Sequence, residues 1–221
     1  MNSICIITNF RCGSSFLTSH LSKLYDLPFC GELLNPTTQW AIGNANKSAT
    51  PFQKLEEIKK GARGVFKIMP AHARYNVALL EEFINASEMA FYLYRRDFRA
   101  QTISWVQSKI TNSWANNGFL KTDDVRDLVN GEYGETVKYT IKVTQQYVDN
   151  CASYLKKNWE IIDTLCKNKQ LPAICVEDFE IKKPYNKEFI WTATTPIELP
   201  DYDVESIFKN CQKLEFPKEE K

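Results

Sequence analysis

Short apolar runs alternate along the chain with longer segments in which apolar residues recur every three or four positions. The runs predict strands and the periodic segments predict helices, because side chains repeat every two residues in a strand and about every 3.6 in a helix. Predicted strands cover residues 3–8, 64–69, 88–95 and 172–179. Predicted helices cover residues 74–85, 98–109 and 136–168. Another begins near Ser14, with an inward face formed by Phe16, Leu17, His20, Leu21 and Leu24.

Strands that alternate with helices predict βαβ units, and therefore an α/β fold in which helices flank a central parallel sheet. We expect a single domain over residues 1–211 and a flexible tail over residues 212–221. Ligands of such sheets bind outside the carboxyl ends of the strands. The distinctive polar clusters lie there, since NFRCGSS, PAH, RRDF and EDF each follow a predicted strand. The sequence therefore predicts a functional site at this end of the sheet.

Charge and cysteine content limit the partners and the compartment. The 221 residues carry a formal net charge of +1, which does not favour a nucleic-acid or acidic-membrane binder, since those carry a clear basic excess. No apolar run approaches the roughly 20 residues of a membrane helix, and the N-terminus does not read as a signal peptide. Seven scattered cysteines without a C-x-x-C pair, and only two histidines, argue against a metal site and for reduced thiols in the cytoplasm.

Residues 11–15, RCGSS, join the first strand to the first helix. If the helix begins near Ser14, the N–H groups of Gly13, Ser14 and Ser15 face the loop, an arrangement that binds phosphate. Arg11 adds a fixed charge and a planar donor fork. The alternative is an ordinary N-cap serine after a glycine turn. The loop is not an NTPase signature, because Ser14 stands where G-x-x-x-x-G-K-[ST] has lysine.

A second anion site is predicted in residues 94–105, YRRDFRAQTISW. Arg96 lies at a strand end and Ser104 lies two turns into the following helix, so that a guanidinium and a hydroxyl could hold one phosphate from two sides. Asp97 at the helix start suits the helix dipole and is expected to cap the helix. The alternative is a surface arginine beside a capped helix.

Together these segments resemble the two signatures of the sulfotransferases that use 3′-phosphoadenosine 5′-phosphosulfate (PAPS). The 5′-phosphosulfate loop of that family reads [KR]-x-G-[ST]-[ST], which residues 11–15 match. Its 3′-phosphate signature is an arginine at a strand end with a serine eight positions later, as are Arg96 and Ser104. The form RDFRAQTISW is similar to the bacterial trehalose-type branch. FCGELLNP, FKIMP and VEDF are weaker matches, and FCGELLNP resembles carbohydrate-type members.

The resemblance implies a P-loop NTPase-like topology and transfer of a sulfuryl group from PAPS to a hydroxyl or amine of a small-molecule or carbohydrate acceptor. The product would be 3′-phosphoadenosine 5′-phosphate (PAP). The residues implied in binding PAPS are Arg11, Cys12, Gly13, Ser14, Ser15, Arg96 and Ser104. No metal is implied, because a sulfuryl group carries less negative charge than a phosphoryl group and cationic side chains can suffice.

Four residues are expected to carry the chemistry. Arg11 would neutralise the leaving phosphate, and Lys67, which matches the family's strand-end lysine, would contact the sulfuryl oxygens. The histidine base of cytosolic members is replaced by Met69. Glu32 is the first choice of base if burial raises its pKa towards working pH. His72 is the substitute, because imidazole titrates near neutrality.

Other assignments stay open. Trp40, Trp105 and Trp114 are alternative stacking partners for adenine. Residues 35–50 and 111–135 are expected to shape the acceptor pocket. Their sequences do not indicate which acceptor binds, and the chain does not indicate an oligomeric state. Glu177 and Asp178 are expected to hold local backbone or cationic partners. A kinase-like phosphotransferase, with Asp178 as a weak metal ligand, or a non-catalytic nucleotide-binding protein would share the architecture.

Overall fold

The structure is a computed structural model that describes residues 1–35, 40–111, 136–178, 186–193 and 195–214. The strands are β1 (Ser3–Thr8), β2 (Phe29–Glu32), β3 (Gly64–Ile68), β4 (Met89–Tyr94), β5 (Thr136–Lys142), β6 (Ala173–Cys175) and β7 (Asn186–Thr192). The helices are α1 (Ser14–Leu24), α2 (Pro51–Lys59), α3 (Val77–Ala86), α4 (Phe98–Thr111), α5 (Gln145–Asn168) and α6 (Glu205–Phe208). The chain divides into two compact units, the first comprising Met1–Arg96, Lys156–Phe179 and Asp203–Lys221, and the second Asp97–Leu155 and Glu180–Tyr202.

The first unit is built on a five-stranded parallel sheet in the order β2-β3-β1-β4-β6. β1 lies at the centre of the sheet, and every residue of β1 and β3 is buried. Parallel strands covered on both faces have continuous apolar sequences rather than alternating ones, which is why the short apolar runs predict them. The predicted α/β fold, with helices flanking a central parallel sheet, is confirmed.

Helix α1 turns a different face to the core than its sequence predicts. Phe16 and Leu24 are 43% and 39% exposed, and the half-exposed His20 stacks on Phe16 with ring centroids 6.2 Å apart. The residues buried on the inner face are Ser14, Leu17, Thr18 and Leu21. Thr18 can lie there because its hydroxyl donates to the Ser14 carbonyl at 2.6 Å. The predicted inward position of Phe16, His20 and Leu24 is therefore wrong.

The starts of two other helices are fixed by side-chain caps. At α2, the Thr50 hydroxyl accepts from the Gln53 N–H, and the Gln53 side chain accepts from the Thr50 N–H, which is a capping box. At α3, the Asn76 side chain accepts from the Leu79 N–H at 3.0 Å. The hydrophobic pattern predicts α3 from residue 74, three residues too early, and it predicts neither α2 nor the edge strand β2.

The second unit contains α4, the two-stranded parallel sheet of β5 and β7, and the start of α5. Helix α4 begins as predicted, because the Asp97 carboxylate accepts from the Ala100 N–H at 2.8 Å. The predicted helix over residues 136–168 is wrong at its start, since Thr136–Lys142 pairs in register with Asn186–Thr192. The sequence TVKYTIK is rich in β-branched and aromatic residues, which favours a strand.

The chain end pairs with the edge of the central sheet. In β6, the Ala173 N–H donates to the Gln212 carbonyl at 2.8 Å, and the Ala173 carbonyl accepts from the Leu214 N–H at 3.2 Å. Residues 212–214 of the predicted tail are therefore hydrogen-bonded, and residues 215–221 lie outside the described part of the chain. Among the described helices, none combines the length and the apolar character that crossing a bilayer requires.

Candidate functional site

Two neighbouring strands carry the predicted anion-binding segments. β1 lies beside β4, and the chain leaves β1 towards the β2 edge of the sheet but leaves β4 towards the β6 edge. A crevice forms outside the carboxyl ends of parallel strands whose connections diverge in this way. Arg95, which follows β4, donates from its guanidinium to the Arg11 carbonyl at 3.4 Å. The ends of β1 and β4 therefore meet, as the order of the motifs predicts.

The β1–α1 loop has an unusual backbone. Arg11 has a φ of 62° and Gly13 a φ of 69°. Glycine adopts this left-handed region freely, whereas arginine does so at a cost of about 1–3 kcal/mol. Left-handed residues in a turn orient successive N–H groups to one side and form a concavity for anions. Gly13 is the N-cap of α1 and contributes no side-chain cap, so the alternative of an N-cap serine is not what the structure has.

Lys67 connects this loop to the neighbouring strands. Its side chain is 3% exposed, and its Nζ donates to the Ser15 hydroxyl at 2.7 Å and to the Ser14 hydroxyl at 3.2 Å. The same Nζ lies 3.1 Å from Oε1 of Glu32. One buried ammonium therefore brings together the two hydroxyls of the loop and the carboxylate of Glu32, which lie in separate segments of the sequence.

Glu32 is the last residue of β2 and the register partner of Lys67 in β3. Its Oε2 accepts a hydrogen bond from the Asn35 side-chain amide at 2.5 Å. Burial alone would raise the pKa of Glu32, but the charge of Lys67 and the Asn35 hydrogen bond together lower the pKa below its ordinary value. The condition set for Glu32 as the base, a pKa raised by burial, is therefore not met by the side chain as it stands, and Glu32 is ionised at neutral pH.

Positive charge is concentrated at the loop although the whole chain is nearly neutral. Burial lowers the pKa of Arg11, and the charge of Arg95 lowers it further. Burial also lowers the pKa of Lys67, against the opposing effect of Glu32 and with a further contribution from Arg11. In both residues burial is the largest cause of the shift, because it disfavours the charged form of the side chain.

His72 lies in the turn that follows β3. Its ring meets Phe10 edge-on with centroids 5.3 Å apart, and its Nδ1 is buried without a hydrogen-bond partner among the described residues. Burial lowers the pKa of His72 more than the charge of Glu32 raises it, so the imidazole is neutral at pH 7. Met69, at the position of the family's histidine, is 2% exposed and belongs to the core.

Three carboxylates contact Arg96, one through its backbone and two through its guanidinium. Its backbone N–H donates to Oε2 of Glu177 at 3.0 Å, and its Nε donates to Oε1 of Glu205 at 3.1 Å. Its Nη2 lies 3.5 Å from Oδ1 of Asp178. The expectation that Glu177 and Asp178 hold backbone or cationic partners is confirmed.

Ser104 and Trp105 lie on α4, in the second unit. The Ser104 carbonyl accepts from the Ser108 hydroxyl at 2.8 Å. Trp105 is 4% exposed and stacks on Tyr154 with ring centroids 5.7 Å apart and an interplanar angle of 6°. Because its ring is buried against another ring, Trp105 packs the second unit and does not offer a stacking surface.

Trp40 lies against β2 in the first unit. Its ring meets Phe29 edge-on at 5.1 Å, and a Cβ added to Gly31 would lie 2.3 Å from Cε2 of the indole. Only glycine lets the tryptophan approach the backbone beside Glu32 this closely. Trp114 lies outside the described residues, as do residues 36–39 and 112–135 of the predicted acceptor region.

Cys12 occupies the variable position of the loop motif and is fully buried. Burial raises the pKa of its thiol to about 12, so the thiol is protonated at neutral pH. Its Sγ donates to the Phe10 carbonyl at 3.7 Å. Cys12 therefore supports the loop from the core side and does not present a reactive group.

Sequence reasoning missed three residues of the site. Asn35 follows Glu32 by three positions, and its place in the turn-rich end of FCGELLNP could have indicated a turn contact. Arg95 stands beside Arg96 but does not have the eight-residue spacing to Ser104 that indicates Arg96. Glu205 lies 109 positions from Arg96, and no sequence pattern connects the two.

Comparisons with known proteins add no further assignment. No protein-family model matches the sequence, and no curated protein matches it with significance. The site is therefore interpreted from its geometry and from the motifs quoted above.

Proposed function

We propose that the protein is a PAPS-dependent sulfotransferase that moves a sulfuryl group to a hydroxyl or amine of a small-molecule or carbohydrate acceptor. The observation that supports this most is the position of Lys67, which donates to the loop hydroxyls of Ser14 and Ser15 and pairs with Glu32. A cation, anchoring hydroxyls and a carboxylate at one point are what in-line transfer of an anionic group requires.

The β1–α1 loop suits the phosphosulfate end of PAPS. The left-handed backbone at Arg11 and Gly13 and the start of α1 provide N–H donors, and Arg11 provides a charge for the leaving phosphate. The strand order β2-β3-β1-β4-β6 supports the assignment, because it puts this loop at the centre of the sheet. Bound PAPS would supply an activated sulfuryl group, and the protein residues would orient it and neutralise its charge.

The partner of the loop hydroxyls favours sulfuryl over phosphoryl transfer. In P-loop NTPases, the serine or threonine hydroxyl of the loop binds Mg²⁺. Here both hydroxyls accept from the Lys67 ammonium. A single positive charge suits a sulfuryl group, which carries less negative charge than a phosphoryl group. The lysine that the loop sequence lacks is thus replaced by one from β3.

Glu32 is the proton acceptor in this proposal. Its carboxylate is ionised, and its pairing with Lys67 makes it a weak base. An anion that draws the ammonium of Lys67 towards itself would weaken the pair and raise the basicity of Glu32, because the effect of the lysine charge would be lost. Substrate binding would thereby activate the base. The neutral His72, whose pKa responds to the charges of Glu32 and Lys67, is the substitute.

A ligand-binding assay and a transfer assay test the proposal. In a thermal-shift experiment, PAP should raise the melting temperature and ATP–Mg²⁺ should not, since a ligand that binds only the folded state stabilises it. Transfer of ³⁵S from labelled PAPS to small molecules of a cell lysate should then require the protein. Stabilisation by ATP–Mg²⁺ alone would support phosphoryl transfer instead, and PAP binding without any transfer would support a non-catalytic binding protein.

A further inference from the structure

The guanidinium of Arg96, the arginine that matches the family's 3′-phosphate signature, already has two anionic partners. Its Nε donates to Glu205 at 3.1 Å, and its Nη2 lies 3.5 Å from Asp178. Carboxylate and phosphate oxygens bind the same donor fork of arginine. A phosphate that takes the Nε edge of the Arg96 guanidinium therefore replaces the Glu205 carboxylate, which is already in place there.

Glu205 is held at this position by the packing of α6. Phe208, one turn later in the helix, stacks on Tyr94 with ring centroids 4.4 Å apart and an interplanar angle of 15°. Tyr94 is the last residue of β4, two positions before Arg96. The Asp203 carboxylate accepts from the Ser206 N–H at 3.1 Å and orders the start of the helix. The contact of Glu205 with Arg96 thus belongs to the packing of α6 on β4.

The position of Arg96 does not depend on Glu205. The Arg96 backbone N–H donates to Glu177 at 3.0 Å, and Glu177 also accepts from the Cys175 thiol at 3.0 Å. The strand end is therefore fixed through its backbone, while the guanidinium can change partners. The ion pair is half exposed, with 42% of the Arg96 side chain and 50% of the Glu205 side chain accessible, so exchange does not require the core to open.

We infer that Glu205 is an internal competitor of the 3′-phosphate for Arg96, and that binding of a 3′-phosphorylated nucleotide displaces Glu205 and loosens α6. This inference rests on the proposed function. A dianionic phosphate offers more charge than the carboxylate and takes its place, whereas a nucleotide with only a 5′-phosphate leaves the Arg96–Glu205 pair intact. The competition weakens the binding of both PAPS and PAP, and it speeds the departure of PAP after transfer.

Calorimetric titration of the full chain with PAP and with 5′-AMP tests the inference. Glu205→Gln should bind PAP about two- to fivefold more tightly than the wild type, the range of a surface ion pair, and should bind 5′-AMP unchanged. The matched control is Glu82→Gln, which removes an ion pair of similar exposure, 3.3 Å from Lys59, and should bind PAP like the wild type. In an Arg96→Ala background, the Glu205→Gln change should have no effect.

The wild-type protein offers a second measurement that needs no variant. Hydrogen exchange of the amides in residues 204–208 should accelerate when PAP is added and should not respond to 5′-AMP. If wild type and Glu205→Gln bind PAP with equal affinity, Glu205 does not compete with the 3′-phosphate, and the proposed function is unaffected. If Glu205→Gln binds PAP and 5′-AMP more tightly by the same factor, the competition is also overturned, because the gain is then a general effect of the removed negative charge. Failure of every variant to bind PAP would overturn the proposed function together with this inference.

Discussion

Glu32 and Lys67 are register partners in the neighbouring parallel strands β2 and β3, and their charged groups meet at 3.1 Å. The pair depends on this register, because a slip of one residue would turn one of the two side chains to the other face of the sheet. The lysine side chain is 3% exposed and the glutamate side chain is 24% exposed. The carboxylate is thus the more accessible member of the pair, and the ammonium is the member that the loop encloses.

Glu32→Gln should abolish sulfuryl transfer while PAP still binds, because the amide cannot accept a proton but keeps the size of the side chain. Transfer is measured with ³⁵S-labelled PAPS, and binding by calorimetry. His72→Ala is the comparison and should retain most of the activity. The reverse result, with activity lost only in His72→Ala, would make the histidine the base.

Lys67→Met should lower transfer by about 10²–10³-fold, the usual cost of removing one group that stabilises the transition state. It should also raise the pKa of Glu32, since burial would no longer be opposed by a nearby positive charge. Carbon-13 NMR of labelled glutamate measures this pKa, with the Glu32 signal identified by its absence in Glu32→Gln. Lys54→Met is the control, because the buried Lys54 Nζ donates to the Leu33 carbonyl. An unchanged Glu32 titration in Lys67→Met would contradict the proposed origin of its pKa.

The stability of the protein should fall as the pH falls below about 6.5, partly because of His72. Its pKa is lowered in the folded protein from the ordinary value of 6.5, so the unfolded chain binds the proton more readily. The stabilising contribution is therefore complete above pH 6.5 and is lost as the pH falls towards the lowered value, with a slope of at most about 1.4 kcal/mol per pH unit. Glu32 contributes in the same direction below its ordinary pKa of 4.5.

Urea unfolding at pH 7.5 and pH 5.5 measures the contribution of His72. His72→Gln should lose less stability between these two values than the wild type does. His20→Gln changes the other histidine, which lies half-exposed on α1, and should behave like the wild type. The same loss in all three proteins would show that His72 is not the source of this pH dependence.

Gly31→Ala should destabilise the protein by about 1–3 kcal/mol more than Gly61→Ala does. Both glycines have positive φ, 49° and 88°, so both alanines meet backbone strain. A Cβ at Gly31 would also lie 2.3 Å from the Trp40 indole, whereas a Cβ at Gly61 has no neighbour within 4 Å in the described structure. Thermal unfolding of the two variants gives the difference. Adding Trp40→Ala should cancel most of it, and a difference that persists would exclude the indole as its cause.

Much of the fold could be predicted because its interior strands are short, buried and apolar. The bounds of β1 agree with the prediction, and those of β3 and β4 agree to within one residue at each end. The hydrophobic pattern does not predict β2, because the strand has only four residues and contains Gly31 at positive φ. The pattern includes β5 in the helix that follows it, because no glycine or proline separates the two. The partner of β5, β7, lies 50 positions later in the sequence.

The residues of the candidate site that follow strand ends could be predicted from the sequence. The contacts that depend on the pairing register of neighbouring strands could not. The loop residues are indicated by the rule that ligands bind at the carboxyl ends of parallel strands. Lys67 is indicated by its resemblance to the family's strand-end lysine. The contact between Lys67 and Glu32 requires β2, which the pattern does not predict. The lowered pKa of Glu32 follows mainly from that contact, so the direction of the shift could not be predicted either. The engagement of Arg96 by Glu205 depends on a four-residue helix that no periodicity can indicate.

The two members of the Glu32–Lys67 pair belong to strands with different numbers of hydrogen-bonded neighbours. β3 is hydrogen-bonded on both sides, whereas β2 is an edge strand with β3 as its neighbour and an irregular register between Phe29 and Glu32. Edge segments open by local fluctuations that cost far less than global unfolding, while interior strands open only with the whole domain. The ammonium is therefore a fixed point of the site, and the carboxylate is carried by a strand that can yield. If the protein is the sulfotransferase that we propose, a movement of β2 would let its site admit acceptors of different size.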